Sequence, residues 1–93
     1  LKREPLSVPD IVTAVEHANS GNVALAYDML LKLAKQNDPE AQHMLGQINK
    51  IDQYQINNYE ESFYWTKLAA DQNYPFAIYT YNRQILFLEI LYF

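Results

Sequence analysis

Apolar residues recur at helical spacing in five stretches of this chain. In the first, Ile11, Val12, Val15 and Ala18 form a stripe, with the three- and four-residue steps that mark one face of a helix. Residues 1–8 lead into it and carry Pro5. Ser7 or Asp10 is placed to cap a helix that starts near Pro9, because a first turn does not use the N–H that proline lacks. Gly21 and Asn22 end it. A second helix over 23–36 sets Ala26, Tyr27, Leu30, Leu33 and Ala34 on its buried face. Asn37 then suits a left-handed helix end, a position where asparagine substitutes for glycine. Pro39 cannot continue the second helix but can open a third, over 39–51, with Ala41, Leu45 and Ile48 facing inward. Residues 52–57 read as a polar loop, and Asn57–Asn58 favours a turn. The fourth helix covers 59–72, with Phe63, Trp65, Leu68, Ala69 and Ala70 as its apolar content. Asn73 and Pro75 repeat the stop-and-restart signal, and a fifth helix begins at Phe76 and runs toward the C-terminus.

The punctuation is periodic. Asn37, Pro39 and Ala41 recur as Asn73, Pro75 and Ala77, an offset of 36 residues. At the same offset Asn22 meets Asn58, Ala34 meets Ala70, Gln36 meets Gln72 and Tyr27 meets Phe63. A period of this size marks stacked helical repeats. A single helix pair cannot bury its apolar face, so each pair needs a neighbour. The expected fold is all-α: a short right-handed α-α solenoid of about two helix-pair repeats, near 9–37 and 39–73, plus an extra C-terminal helix over 75–93, in a single domain over 1–93. The chain has only two glycines, Gly21 and Gly46, fewer than the turns of an all-β chain usually need. The nearly all-apolar run 85–93, broken only by Glu89, admits two readings. It is the first helix of a third repeat, or its last five residues, Glu89-Ile90-Leu91-Tyr92-Phe93, are the scar of an engineered protease-cleavage site, which they resemble with one mismatch at Ile90.

The motif Ala41-Gln42-x-x-Leu45-Gly46, followed by a polar loop and Tyr59-Glu60-Glu61-Ser62-Phe63-Tyr64-Trp65-x-Lys67-Leu68-Ala69-Ala70-x-Gln72-Asn73, resembles the Sel-one-like repeat. That family is a bacterial and eukaryotic relative of the tetratricopeptide repeat. The resemblance covers about residues 22–82. It implies small residues (Ala41, Gly46, Ala69, Ala70) where helices cross closely, and Leu45, Phe63 and Trp65 filling the space between the two helices of a pair. The chain departs from the family in three places. No glycine-rich loop separates Lys50 from Tyr59, Asn37 and Asn73 replace the glycine at the repeat end, and Met29 stands in the first repeat where Trp65 stands in the second. Such repeats usually scaffold complexes, so the resemblance implies an adaptor, including ones at bacterial envelopes or in host contact. Some cysteine-rich relatives are linked to β-lactam binding or hydrolysis, but this chain contains no cysteine.

Composition narrows the function classes. Apolar residues make up 49% and charged ones 19% of 93 residues, a globular balance for one domain with a modest core. The net charge of −4 falls on residues 37–93, which carry seven acids against three bases. A mildly acidic chain without a basic run is a poor partner for nucleic acid, where phosphate neutralisation supplies much of the affinity. It also has no Lys/Arg-rich amphipathic helix for a membrane surface and no apolar run long enough to span one. The lack of cysteine removes disulfides and thiolate metal sites, and leaves the compartment open between cytoplasm and periplasm or exterior.

Candidate chemistry is sparse. His17 and His43, the only histidines, are 26 residues apart, and neither has a second ligand at metal spacing. Glu60–Glu61 could be paired carboxylates, but in the first turn of a helix the dipole explains them. No Ser/His/Asp spacing and no Gly-rich phosphate loop is present, so no catalytic residue, cofactor or metal is expected. Seven of the eight tyrosines lie between Tyr54 and Tyr92. Tyr59, Tyr64 and Tyr81 read as core aromatics, and Tyr74 and Tyr79 as contact candidates. If the first helix of each pair lines the concave side, its non-core face offers Thr13 and His17, then His43, Gln47 and Lys50, then Tyr79 and Arg83. His43 and Tyr79 are register mates, as are Gln47 and Arg83, and Lys50 with Arg83 would make the groove locally basic. The expected function is non-catalytic: a protein–protein interaction module gripping an extended or helical peptide of a partner protein in that groove, through a carboxylate on one reading. The alternative is a homodimer formed through the apolar C-terminal helix.

Overall fold

The computed structural model describes residues 10–49 and 58–92, with side chains described as far as Ile90. Among these residues the chain is helical, with no strand: α1 (Ile11–Asn19), α2 (Val23–Lys35), α3 (Pro39–Ile48), α4 (Tyr59–Asp71) and α5 (Pro75–Tyr92). Each helix packs against the next in chain order. Ser7, Pro9, Lys50 and the loop expected over 52–57 lie outside the described residues.

Local chemistry fixes the helix ends. Three helices start on a side-chain cap: Asp10 accepts from the Thr13 N–H at 2.8 Å, Asp38 from Ala41 at 3.1 Å and Asn58 from Glu61 at 3.1 Å, each satisfying a donor that the first turn leaves without an intrahelical partner. The Thr13 N–H, and then its hydroxyl, hold the Asp10 carboxyl below its ordinary pKa of 3.8. Asn37 and Asn73 both adopt positive φ, 74° and 65°. Their turns make the same pair of bonds: Asn37 N–H to Ala34 O and Asp38 N–H to Leu33 O at 2.9 and 3.1 Å, then Asn73 N–H to Ala70 O and Tyr74 N–H to Ala69 O at 2.8 and 3.2 Å. This double closure is the left-handed helix-ending motif usually built on glycine. Gly21, φ +92°, ends α1 in the same way. α3 ends at Ile48, short of the expected residue 51. There Asn49 is buried, its Nδ2 donates to Leu45 O at 2.9 Å, and its carbonyl accepts from the Asn58 N–H at 2.9 Å.

The core gathers Ala14 of α1, Leu30, Leu33 and Ala34 of α2, Ala41, Leu45 and Ile48 of α3, and Trp65 of α4. α4 reaches α3 closely because Gly46 has no side chain. A Cβ there would collide with Thr66 Oγ1 and lie 3.1 Å from the Ser62 carbonyl. Ala77, 36 positions after Ala41, is likewise wholly buried. Between α4 and α5, Tyr81 packs its ring 5.2 Å from Phe63, and Gln84 Nε2 donates to Ser62 Oγ at 3.2 Å. Two tyrosines expected in the core are not there. Tyr59 and Tyr64 are exposed, as is Asp28, 36 residues before Tyr64.

A polar clasp ties the two helix pairs together. Gln72 Nε2, at the end of α4, donates to Gln42 Oε1 at 3.0 Å and to Asn37 O at 3.1 Å. The buried Gln42 in turn donates to Ala34 O at 3.1 Å. Gln72→Ala strips a donor from a buried carboxamide oxygen, so it is expected to lower stability by about 1–2 kcal/mol. A urea titration followed by circular dichroism reads the loss, and an unchanged midpoint would show that the clasp is idle.

Candidate functional site

Two open cavities lie side by side along one flank. The smaller, of about 420 Å³, is lined by Ala14, Val15 and Ala18 of α1, by Glu40, Met44 and Ile48 of α3, and by Tyr74 before α5. The larger, of about 980 Å³, lies between α3 and α5 and is lined by Thr80, Arg83, Phe87 and Leu88, with Tyr59, Glu60 and Phe63 of α4. His43, Gln47 and Phe76 border both, so the two form one groove running from α1 across α3 to α5.

The middle of the groove is aromatic. The His43 ring lies 5.6 Å from that of Tyr74 and 6.4 Å from that of Phe76, and its Nε2 is 3.3 Å from Thr80 Oγ1. Thr80 already donates its hydroxyl proton to Phe76 O at 2.9 Å. Its oxygen therefore remains available as an acceptor. Burial pushes the Tyr74 hydroxyl above its ordinary pKa of 10.0, and the Glu40 and Asp38 carboxylates push it further in the same direction; this phenol stays neutral. Farther along, the Arg83 guanidinium sits 5.6 Å from the centre of the Tyr79 ring, a cation–π distance. Gln84 Oε1 is buried without a hydrogen-bond partner among the described residues, although its Nε2 is used.

The structure brings together four of the six residues expected to form the groove: His43, Gln47, Tyr79 and Arg83. Lys50 lies outside the described residues. His17 lines neither cavity, and nor does Thr13. α1 turns Ala14, Val15, Ala18 and Asn19 toward the smaller one instead, because the buried Ala14 sets the rotation of that helix. The expected basic character rests on Arg83 together with Lys50, which lies outside the described residues; among the described lining residues Glu40 and Glu60 add acidic groups beside Arg83. Glu60 itself stands, as expected, in the first turn of α4 with Glu61, whose Oε1 accepts from Trp65 Nε1 at 3.0 Å. Phe63, Phe76 and Phe87 were absent from the expected site. The family resemblance places Phe63 inside a helix pair, whereas in the fold it is only half-buried. The signal for Phe87 was present in the apolar excess of residues 85–93.

No group of three or more His, Asp or Glu residues that could hold a metal ion occurs among the described residues, and none of their helices is long and apolar enough to cross a membrane. Comparison with known protein families, curated proteins and solved structures finds no match to this chain.

Proposed function

We propose that the chain is a non-catalytic interaction module, a short right-handed α-α solenoid of Sel-one-like repeats that grips a segment of another protein. The identical helix-ending bonds at Asn37 and Asn73, and the buried Ala41 and Ala77 that follow them, support the repeat reading. The larger cavity carries the functional one. Phe76 and Tyr79 are each 65% exposed there and Phe87 is 59% exposed, in a concavity of about 980 Å³ beside Arg83. Rigid aromatics and an arginine grouped in a concave site are the anchor types of protein interfaces. Leaving them in water forgoes roughly 25 cal/mol for each Å² of apolar surface that a partner could cover. The groove suits a segment with apolar anchors, one acidic group for Arg83, and basic groups at the rim for Glu40 and Glu60.

The test is selection of peptides from a random library on the immobilised chain, followed by amide chemical-shift mapping of the enriched sequence. Shift changes should centre on His43, Tyr79, Thr80 and Arg83. Tyr79→Ala and Arg83→Glu should each weaken binding about tenfold or more with helicity unchanged. No enrichment, or binding indifferent to both substitutions, would refute the groove.

A further inference from the structure

One flank of α5 is left out of both the core and the groove. Ile78, Asn82, Ile85 and Glu89 follow one another by four, three and four residues, the spacing of a seam between two helices. Ile78 is 38% exposed and the adjoining Leu86 is 56% exposed. Phe76, Arg83 and Phe87, which line the groove, lie on the opposite side of the helix.

The repeat shows what this flank can receive. The residues 36 positions earlier are Gln42 and Gly46, the places where α3 receives α4. Gln42 meets Gln72 there at 3.0 Å, and Gly46 lets Thr66 and Ser62 come close. On α5 these positions are Ile78 and Asn82. The polar clasp cannot form, and the Asn82 side chain fills the space that Gly46 leaves empty, so another helix cannot dock on α5 as α4 docks on α3.

We propose that this flank pairs with the same flank of a second copy, the two α5 helices running antiparallel about a two-fold axis at Asn82. Three features fit that occupant. A carboxamide carries both donor and acceptor, so Asn82 is complementary to its own copy, and a single polar residue in an apolar helix seam fixes register. Ile78 and Leu86 stand equally far before and after Asn82, so each meets the other across the axis. Glu89 and Pro75 are also equidistant from Asn82, seven residues on either side, which brings Glu89 to the start of the partner's α5. The first turn of that helix holds no acidic residue, and Tyr74 stands where Asp38 caps α3. A carboxylate beside the positive end of the helix dipole supplies the missing complement. Phe76, Arg83 and Phe87 of the groove face away from this seam.

The absence of cysteine gives a direct test of register. Packed helix axes lie about 8–10 Å apart and Cα atoms about 2.3 Å from each axis, which puts facing positions within disulfide reach. Under mild oxidation Asn82→Cys should give a covalent dimer, while Phe87→Cys, on the groove side, should give none. By sedimentation equilibrium the unaltered chain should pass from 10.9 kDa toward twice that mass as concentration rises. The double variant Ile78→Glu/Leu86→Glu should raise the dissociation constant by at least about 100-fold, and Glu89→Lys by about two- to fivefold, with helicity unchanged. A chain that remains monomeric at every concentration overturns the proposal. So does an Asn82→Cys protein that fails to crosslink, or a dimer that survives the double variant and is lost on Arg83→Glu.

Discussion

Trp65→Ala is expected to remove about 3–5 kcal/mol of stability, a large share of the roughly 5–14 kcal/mol that a chain of 93 residues commonly has. Trp65 is the one residue that α4 contributes to the buried cluster of Leu30, Leu33, Leu45 and Ile48, and it is 6% exposed. Its removal leaves a void that these side chains, already held by three other helices, fill only in part. The indole also donates to Glu61 at 3.0 Å. Trp65→Phe separates the two contributions: it keeps most of the ring volume and discards the donor, so it is expected to cost about 1–2 kcal/mol. Thermal unfolding by circular dichroism measures both, because Trp65 is the only tryptophan and its loss removes the fluorescence signal. Equal losses for the two variants would mean that the hydrogen bond, not the volume, anchors α4.

Gly46→Leu is expected to cost about 3 kcal/mol or more and to lower the melting temperature by roughly 10–25 °C. Leucine is the better helix former by nearly 1 kcal/mol, so propensity alone predicts the opposite sign. The crossing decides. A Cβ at this position meets Thr66 Oγ1 at once and the Ser62 carbonyl at 3.1 Å. A hydroxyl can be cut away, but backbone cannot move without shifting α4. Thr66→Ala should therefore restore only part of the stability of a Gly46→Ala variant. Full restoration would show that the helices are free to separate, and a stabilised Gly46→Leu protein would show that α3 and α4 do not cross here.

The features legible in the sequence are local ones. Asn37 and Asn73 announced left-handed turns because few other side chains tolerate positive φ, and Ala26, Leu30, Leu33 and Ala34 share one face by helical geometry alone. The same logic failed for Tyr59 and Tyr64. A tyrosine has a large apolar ring and a polar tip, so its composition fits both core and surface. Only the rotation of α4, set by Ser62, Trp65, Thr66 and Ala69 turning inward, leaves Tyr59 and Tyr64 outside. Likewise the 36-residue offset pairs His43 with Tyr79 and Gln47 with Arg83, and all four line the larger cavity. His17 lines neither cavity: α1 precedes the periodic segment, so no register mate fixes its rotation in the sequence.

The sequence alone determined the helices, the stops at Asn37 and Asn73 and the 36-residue offset, because these follow from φ preferences, caps and apolar spacing within a few residues. Only the tertiary structure decided which flank of each helix stays open. That depends on how closely neighbours approach, and the approach is set by pairs far apart in the chain, such as Gly46 with Thr66 and Gln42 with Gln72. The charges along the groove belong to the same class, since Glu40, Glu60 and Arg83 come to it from three different helices.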